Sequence, residues 1–134
     1  MINNLEQLLS SVATPVLKLV PRTVEWPVKD PQAGVVRKEE LKLFVVDDLT
    51  FAASERIYLG DKGFGRNARV ISERLRFGDN EKSAQQMSYA QAADLPDEYG
   101  WILLTVVAQY DKEQEDLRKA EEEKLKAEGK DPKA

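Results

Sequence analysis

Tyr99-Gly100-Trp101-Ile102-Leu103-Leu104-Thr105-Val106-Val107-Ala108-Gln109-Tyr110 is the most hydrophobic run in the chain. It is a core-helix length, well short of the ~18 consecutive apolar residues that a bilayer span needs. The run is apolar nearly all round, which for a helix in water means burial on more than one side. We read it as the central helix of the fold. Leu95-Pro96-Asp97-Glu98 starts it, because proline suits the first helical position and acidic side chains favour the positive helix end. After Tyr110 the composition changes sharply. Residues 111 to 134 carry seven Lys/Arg and nine Asp/Glu, with Leu117 and Leu125 the only large apolar side chains. Glu115 with Lys119 and Glu122 with Lys126 are spaced for helical ion pairs, each contributing a few tenths of a kcal/mol. The spacing predicts a frayed, solvated helix extension that ends before Gly129, and no apolar heptad is sustained that would make it a coiled coil.

Working back towards the N-terminus, Ser88 and Gln91 form a capping box that fixes a brief helix ahead of Leu95. Gly78-Asp79-Asn80 makes a turn. Asn67 caps a helix that runs to about Phe77, with Ala68, Val70, Ile71, Leu75 and Phe77 on its apolar side. Thr50, or Asp48, caps a helix from Phe51 to Leu59 that Gly60 stops. The glycines at 60, 63 and 65 make the intervening loop a connector. Val35 to Val46 is an extended run in which Leu41, Leu43 and Val45 face one way and Lys42, Phe44 and Val46 the other, so both faces are covered near Phe44. Val24, Trp26 and Val28 alternate with polar residues as in a half-buried strand. Pro27 places that strand at a sheet edge, and the turn formers of Lys29 to Gly34 join the two runs as a β-hairpin. Residues 1 to 14 form a short amphipathic helix capped by Asn3 or Asn4 and stopped by Pro15, with Leu5, Leu8, Leu9 and Val12 on one face. That face either closes the domain's own core or belongs to an arm that docks on a neighbour.

Together these elements predict an α+β chain: an N-terminal helix and β-hairpin, then a three- to four-helix bundle with a long C-terminal helix. One domain spans 1–110 (arm 1–20, hairpin 21–46, helices 50–110), and 111–134 is a charged, solvated or disordered tail. The composition sets limits on chemistry. The chain has 134 residues, 20 Lys plus Arg against 24 Asp plus Glu, no Cys and no His. Disulfides, thiolate chemistry, the commonest general base and the commonest transition-metal ligand are thereby excluded. A formal charge of −4 argues against a protein that wraps nucleic acid. No apolar stretch is long enough to span a membrane, and the first twenty residues lack the basic and continuous apolar regions of a signal peptide.

The Gly60–Gly65 loop fails the P-loop spacing, since no Gly-Lys-Ser/Thr follows, and it fails the dinucleotide fingerprint. Glu39 and Glu40 point to opposite strand faces, Asp97 and Glu98 serve the helix start, and nothing completes a metal shell around Asp47-Asp48. Neither Ser54 nor Ser83 stands in a nucleophile motif. We therefore read the chain as non-enzymatic, with no catalytic residue, cofactor or metal. The candidate partner-binding residues are Leu5, Leu8, Leu9, Val12 and Trp101. Lys62, Arg66, Arg69, Arg74 and Arg76 form the only basic cluster. Positions 66, 69, 73 and 76 share one polar stripe, with Glu73 partly cancelling Arg69. The alternative function is a small nucleic-acid-binding or regulatory module using that face.

The middle of the chain resembles a known family. A strand ending in Phe44-Val45-Val46-Asp47-Asp48-Leu49-Thr50 leads into Phe51-Ala52-Ala53-Ser54-Glu55-Arg56 at a helix start. An Arg-bearing helix follows, then Gly78-Asp79, a capped Ala-rich helix, Asp94-Leu95-Pro96 and the final apolar helix. Over residues 22 to 112, about two thirds of the chain, this resembles the tail assembly chaperones of long-tailed bacteriophages. Their chains show a "Leu-Ser/Thr … Ala-Glu-Arg" helix start and a "Leu-Pro" lead into the last helix, and here Ser54 stretches the first pattern by one residue. The resemblance implies a homo-oligomer-forming assembly factor in the cytoplasm of an infected bacterium, absent from the mature virion. Such a factor binds the tape measure protein and recruits tail tube subunits. It also implies a frameshifted longer product continuing from the charged tail.

Overall fold

The strands β1 (Leu19–Lys29) and β2 (Val36–Val46) pair antiparallel along their whole length, from Leu19 opposite Val46 to Lys29 opposite Val36. In this computed structural model, which describes residues 1–12, 17–32, 34, 36–58 and 65–129, the hairpin is preceded by α1 (Leu5–Ser11). It is followed by α2 (Phe51–Tyr58), α3 (Arg66–Arg74), a short strand β3 (Leu75–Phe77), α4 (Tyr89–Ala93) and α5 (Asp97–Ala127). The arrangement is the expected α+β one, with its N-terminal helix, hairpin and long C-terminal helix. The proposed stops at Pro15 and Gly60, and most of the glycine loop between α2 and α3, lie outside the described residues.

Local signals account for most boundaries. The Thr50 hydroxyl accepts from the Ala53 amide at 3.2 Å and starts α2. Ser88 and Gln91 make both hydrogen bonds of the capping box, 3.1 and 3.0 Å. Pro96 stands at the cap of α5, one position before the first helical residue, with Asp97 and Glu98 in the first turn. Asn67 does not cap α3. Gly65 does, at φ +76°, where a Cβ would run into the Tyr89 ring.

The helix expected to reach Phe77 ends at Arg74, because Leu75 turns extended (φ −119°, ψ 147°) and pairs with Val45 while Phe77 pairs with Leu43. Leu75 and Phe77 alternate around Arg76 and so present one face to the core as a strand. Continuing as a helix would swing Phe77 round the axis and lose the ladder. The sheet order is β1-β2-β3, so β1 lies at an edge as Pro27 requires.

The core lies between the helices and the sheet face that carries Val20, Val24, Leu41, Leu43 and Val45. Leu43, Val45, Leu75, Ile71 and Leu103 are essentially inaccessible and belong to one cluster with Val106, Val107 and Tyr110. Phe44 and Val46 on the opposite sheet face are buried too, as are Ala53 and Ile57 of α2, outside that cluster. α3 packs against α2, α4 and α5. At the distal end of the hairpin Trp26 stacks on Tyr99 with centroids 4.7 Å apart, and the Tyr99 hydroxyl donates to the Pro27 carbonyl.

The apolar run of α5 is covered less completely than its composition predicts. Leu103, Val106, Val107 and Tyr110 are buried, whereas Trp101, Thr105 and Ala108 are exposed. The charged segment forms no separate tail within the described residues. It continues α5 unbroken to Ala127, and Gly129 in the left-handed region (φ +75°) follows it. The 31-residue helix is about 46 Å long. Among the described residues beyond Tyr110 only Leu125 is half-buried, and Glu115 bridges Lys119 at 3.2 Å.

Three contacts hold α5 where it leaves the core. The Tyr110 hydroxyl donates to Asp47, whose other oxygen lies 3.6 Å from Lys18. The Arg22 guanidinium lies over the Tyr110 ring (5.4 Å to the centroid) and bridges Glu113 at 2.7 Å. Arg74 grips Asp111 with two hydrogen bonds, 2.7 and 3.0 Å, and donates to the Val46 carbonyl. Burial, followed by the bond to Asp47, pushes the Tyr110 phenol up to about 12 from its ordinary 10.0. Because the folded phenol holds its proton more tightly than the unfolded one, this stability is complete below pH 10 and disappears as pH rises towards 12. Urea unfolding at stepped pH should show the native chain losing about 2 kcal/mol across that interval, a loss that Tyr110→Phe removes.

Candidate protein-binding surface

α1 starts as its sequence predicts but ends at Ser11, short of Pro15, with Val12 extended at its C-cap (φ −91°, ψ 122°). The Asn4 side chain accepts from the Gln7 amide at 2.8 Å, and the Gln7 side chain accepts from the Asn3 amide at 3.1 Å. None of its residues is buried. Leu5, Leu8, Leu9 and Val12 are 68%, 48%, 63% and 59% exposed. Of the two readings of this helix, closing the domain's own core is not the one realised. An isolated helix of this length is marginal in water, so its apolar stripe is the least compensated part of the molecule.

Trp101 is 55% exposed, and its indole N–H donates to Asp97 one turn back, at 2.8 Å. It borders a shallow groove of about 170 Å³ between α3, α4 and α5, lined by Ala68, Ile71, Ala92, Leu95 and Leu104. No residue of α1 lines that groove, so the predicted partner-binding residues form two patches rather than one.

The arginines expected to form a solvated basic face are engaged within the fold. Arg66 lies 5.6 Å from the Tyr58 ring centroid and Arg69 4.5 Å from that of Tyr89, the Arg69 Nε being buried without a hydrogen-bond partner among the described residues. Arg74 is committed to Asp111 and Val46. Arg76 lies on β3, and it donates to the carbonyls of Ser72, Glu73 and Leu75 at 3.2, 3.1 and 2.8 Å. Burial lowers the Arg76 pKa from its usual range. Lys62 lies outside the described residues. Glu73 does not share an exposed stripe with Arg69. It is 8% exposed and accepts two bonds from Arg56, 2.6 and 3.1 Å. That pair, seventeen residues apart, has no signature in local spacing.

At least one member of each acidic pair is similarly occupied. Glu98 binds Lys29 at 2.9 Å and raises its pKa through that bond, and Glu39 binds Arg37 at 2.7 Å. Among the described residues no group of three His, Cys, Asp or Glu is placed to hold a metal ion, and no helix is long and apolar enough to cross a membrane.

The occupied state of the arginines has a measurable consequence. Arg74→Ala should cost about 2 kcal/mol in urea unfolding, because it leaves Asp111 and the Val46 carbonyl without their donor. Arg66→Ala, at an exposed position, should cost less than about 0.5 kcal/mol.

No protein family matches this chain, and neither does any curated protein or solved structure.

Proposed function

We propose that the chain is a non-enzymatic assembly factor that holds helical segments of another polypeptide and keeps them soluble, in the manner of the phage tail assembly chaperones it resembles. The observation that carries this reading is the α1 stripe, Leu5, Leu8 and Leu9 at helical spacing with Val12 at the C-cap, none of them buried. A stripe of this kind gains by docking against a complementary apolar helix, with anchors at i, i+3, i+4 and i+7. The groove beside Trp101 offers a second contact of the same character. The solvated, charged second half of α5 supplies the solubility that a coating protein needs. On this reading the client is the tape measure protein, tail tube subunits are recruited to the coated client, and the factor acts in the cytoplasm of the infected host and leaves before the virion is complete. The arginine engagements described above weigh against the nucleic-acid reading, since a phosphate would have to displace internal partners.

Co-expression with an amphipathic helical client followed by size exclusion tests this. The native chain should co-elute with the client. Replacing Leu5, Leu8, Leu9 and Val12 together by Ser should abolish co-elution while the thermal midpoint of the chain stays within a few degrees, since nothing else in the fold rests on those side chains. Co-elution that survives the replacement would overturn the assignment of α1, and a native chain that never captures the client would overturn the function.

A further inference from the structure

The two long edges of the hairpin are unequal. Lys18 accepts from the Asp47 amide at 2.9 Å, which fixes the even-numbered residues of β1 as those bonded to β2. The odd-numbered residues, Leu19 to Lys29, therefore direct their backbone groups outward, and Pro21 and Pro27 are among them. Two of the outward donors on the β1 edge are thus absent, a device that discourages pairing with another strand.

The far side of β2 has no such guard. Its even-numbered residues point that way, and β3 covers only Leu43 to Val45. From Val36 to Lys42 the strand has no neighbour on that side among the described residues, and Val36 to Glu40 are all exposed. The amides and carbonyls of Val36, Lys38, Glu40 and Lys42 are directed outward.

The sequence of this open stretch is Val36-Arg37-Lys38-Glu39-Glu40-Leu41-Lys42. We infer that it pairs antiparallel with the same stretch of a second copy, about a two-fold axis at Glu39. That register uses the open edge end to end: Val36 meets Lys42 of the second copy, which is the last free position before β3. It supplies about eight backbone hydrogen bonds. It also sets Lys38 opposite Glu40 twice, on one face of the joined sheet, and opposite charges on directly facing residues are the favourable cross-strand arrangement. The one like-charged juxtaposition, Glu39 with Glu39, is already neutralised because each carboxylate is bound by its own Arg37 at 2.7 Å. Shifting the two-fold to Lys38 or Glu40 places lysine against lysine and leaves part of the edge unused. The result is a continuous six-stranded sheet, with the guarded β1 edges outermost. This assembly is separate from the α1 contact proposed above and does not depend on it.

Light scattering and sedimentation across concentration test the inference. The native chain should dimerise on concentration. Lys38→Glu and Glu40→Lys should each weaken the dimer at least about tenfold, by facing like charges twice. Mixing the two variants should restore it, because the heterodimer sets two glutamates against two lysines. Glu40→Pro, which removes an outward amide and leaves the β1 ladder intact, should leave the chain folded by circular dichroism and monomeric. A native chain that stays monomeric throughout would overturn the inference and leave the edge to an extended segment of a different polypeptide. A dimer indifferent to the reversals and to mixing would overturn it equally.

Discussion

The seating of α5 on β2 is the constraint from which the rest of the structure follows. Leu103, Val106, Val107 and Tyr110 share one cluster with Leu43 and Val45, and none of the six exceeds 7% exposure. An isolated hairpin is marginal in water, and this sheet gains its stability from a third strand and a covered apolar face, to which α5 contributes. α3 is held against that helix, and the extended Leu75–Phe77 segment that follows it pairs with the edge of β2. The polar contacts at Tyr110, Arg22 and Arg74 then fix where the helix departs from the sheet. They lie at the rim of that apolar seat, where the Glu113 and Asp111 carboxylates stay about half exposed and little charge has to be desolvated.

The apolar run at 99 to 110 was legible because it is long and uninterrupted, and the caps at Asn4, Thr50 and Ser88 because each depends on one side chain and an amide three residues on. Edge placement of β1 followed from Pro27 alone. What escaped were features decided by residues distant in sequence. Leu75 and Phe77 satisfy helical and strand periodicity equally over so short a span, and only the neighbouring Val45 and Leu43 decide between them. Glu73 looked solvated because its spacing from Arg69 is helical, whereas its actual partner, Arg56, comes from α2. The candidate surface divides in the same way. The α1 stripe was readable from periodicity, but its complete exposure was not. The engagement of the arginines with Tyr58, Tyr89, Asp111 and the Val46 carbonyl has no local signature either.

That engagement changes what the charged residues of this molecule are for. A charged composition suggests a surface intended for ionic partners, yet the cations nearest the core act as internal fasteners. The charge left to solvent is of mixed sign, spread over β1, β2 and the loops as well as α5 beyond Tyr110. Such a surface repels non-specific association without attracting a polyanion. The uncompensated features are then apolar or backbone in character: the α1 stripe, the groove beside Trp101 and the open side of β2.

These three differ in what they can recognise. An apolar stripe is tolerant, because burial is non-directional and accepts any helix of suitable width. A strand edge is stricter, because hydrogen bonds and facing charges fix both direction and register. A factor that holds another polypeptide, as proposed, while keeping a definite arrangement of its own copies uses one surface of each kind. The prolines of β1 matter in that light. With both edges open, edge pairing would propagate from copy to copy without closing. With one edge guarded, pairing through β2 stops at two copies, and the apolar helices remain free for another chain.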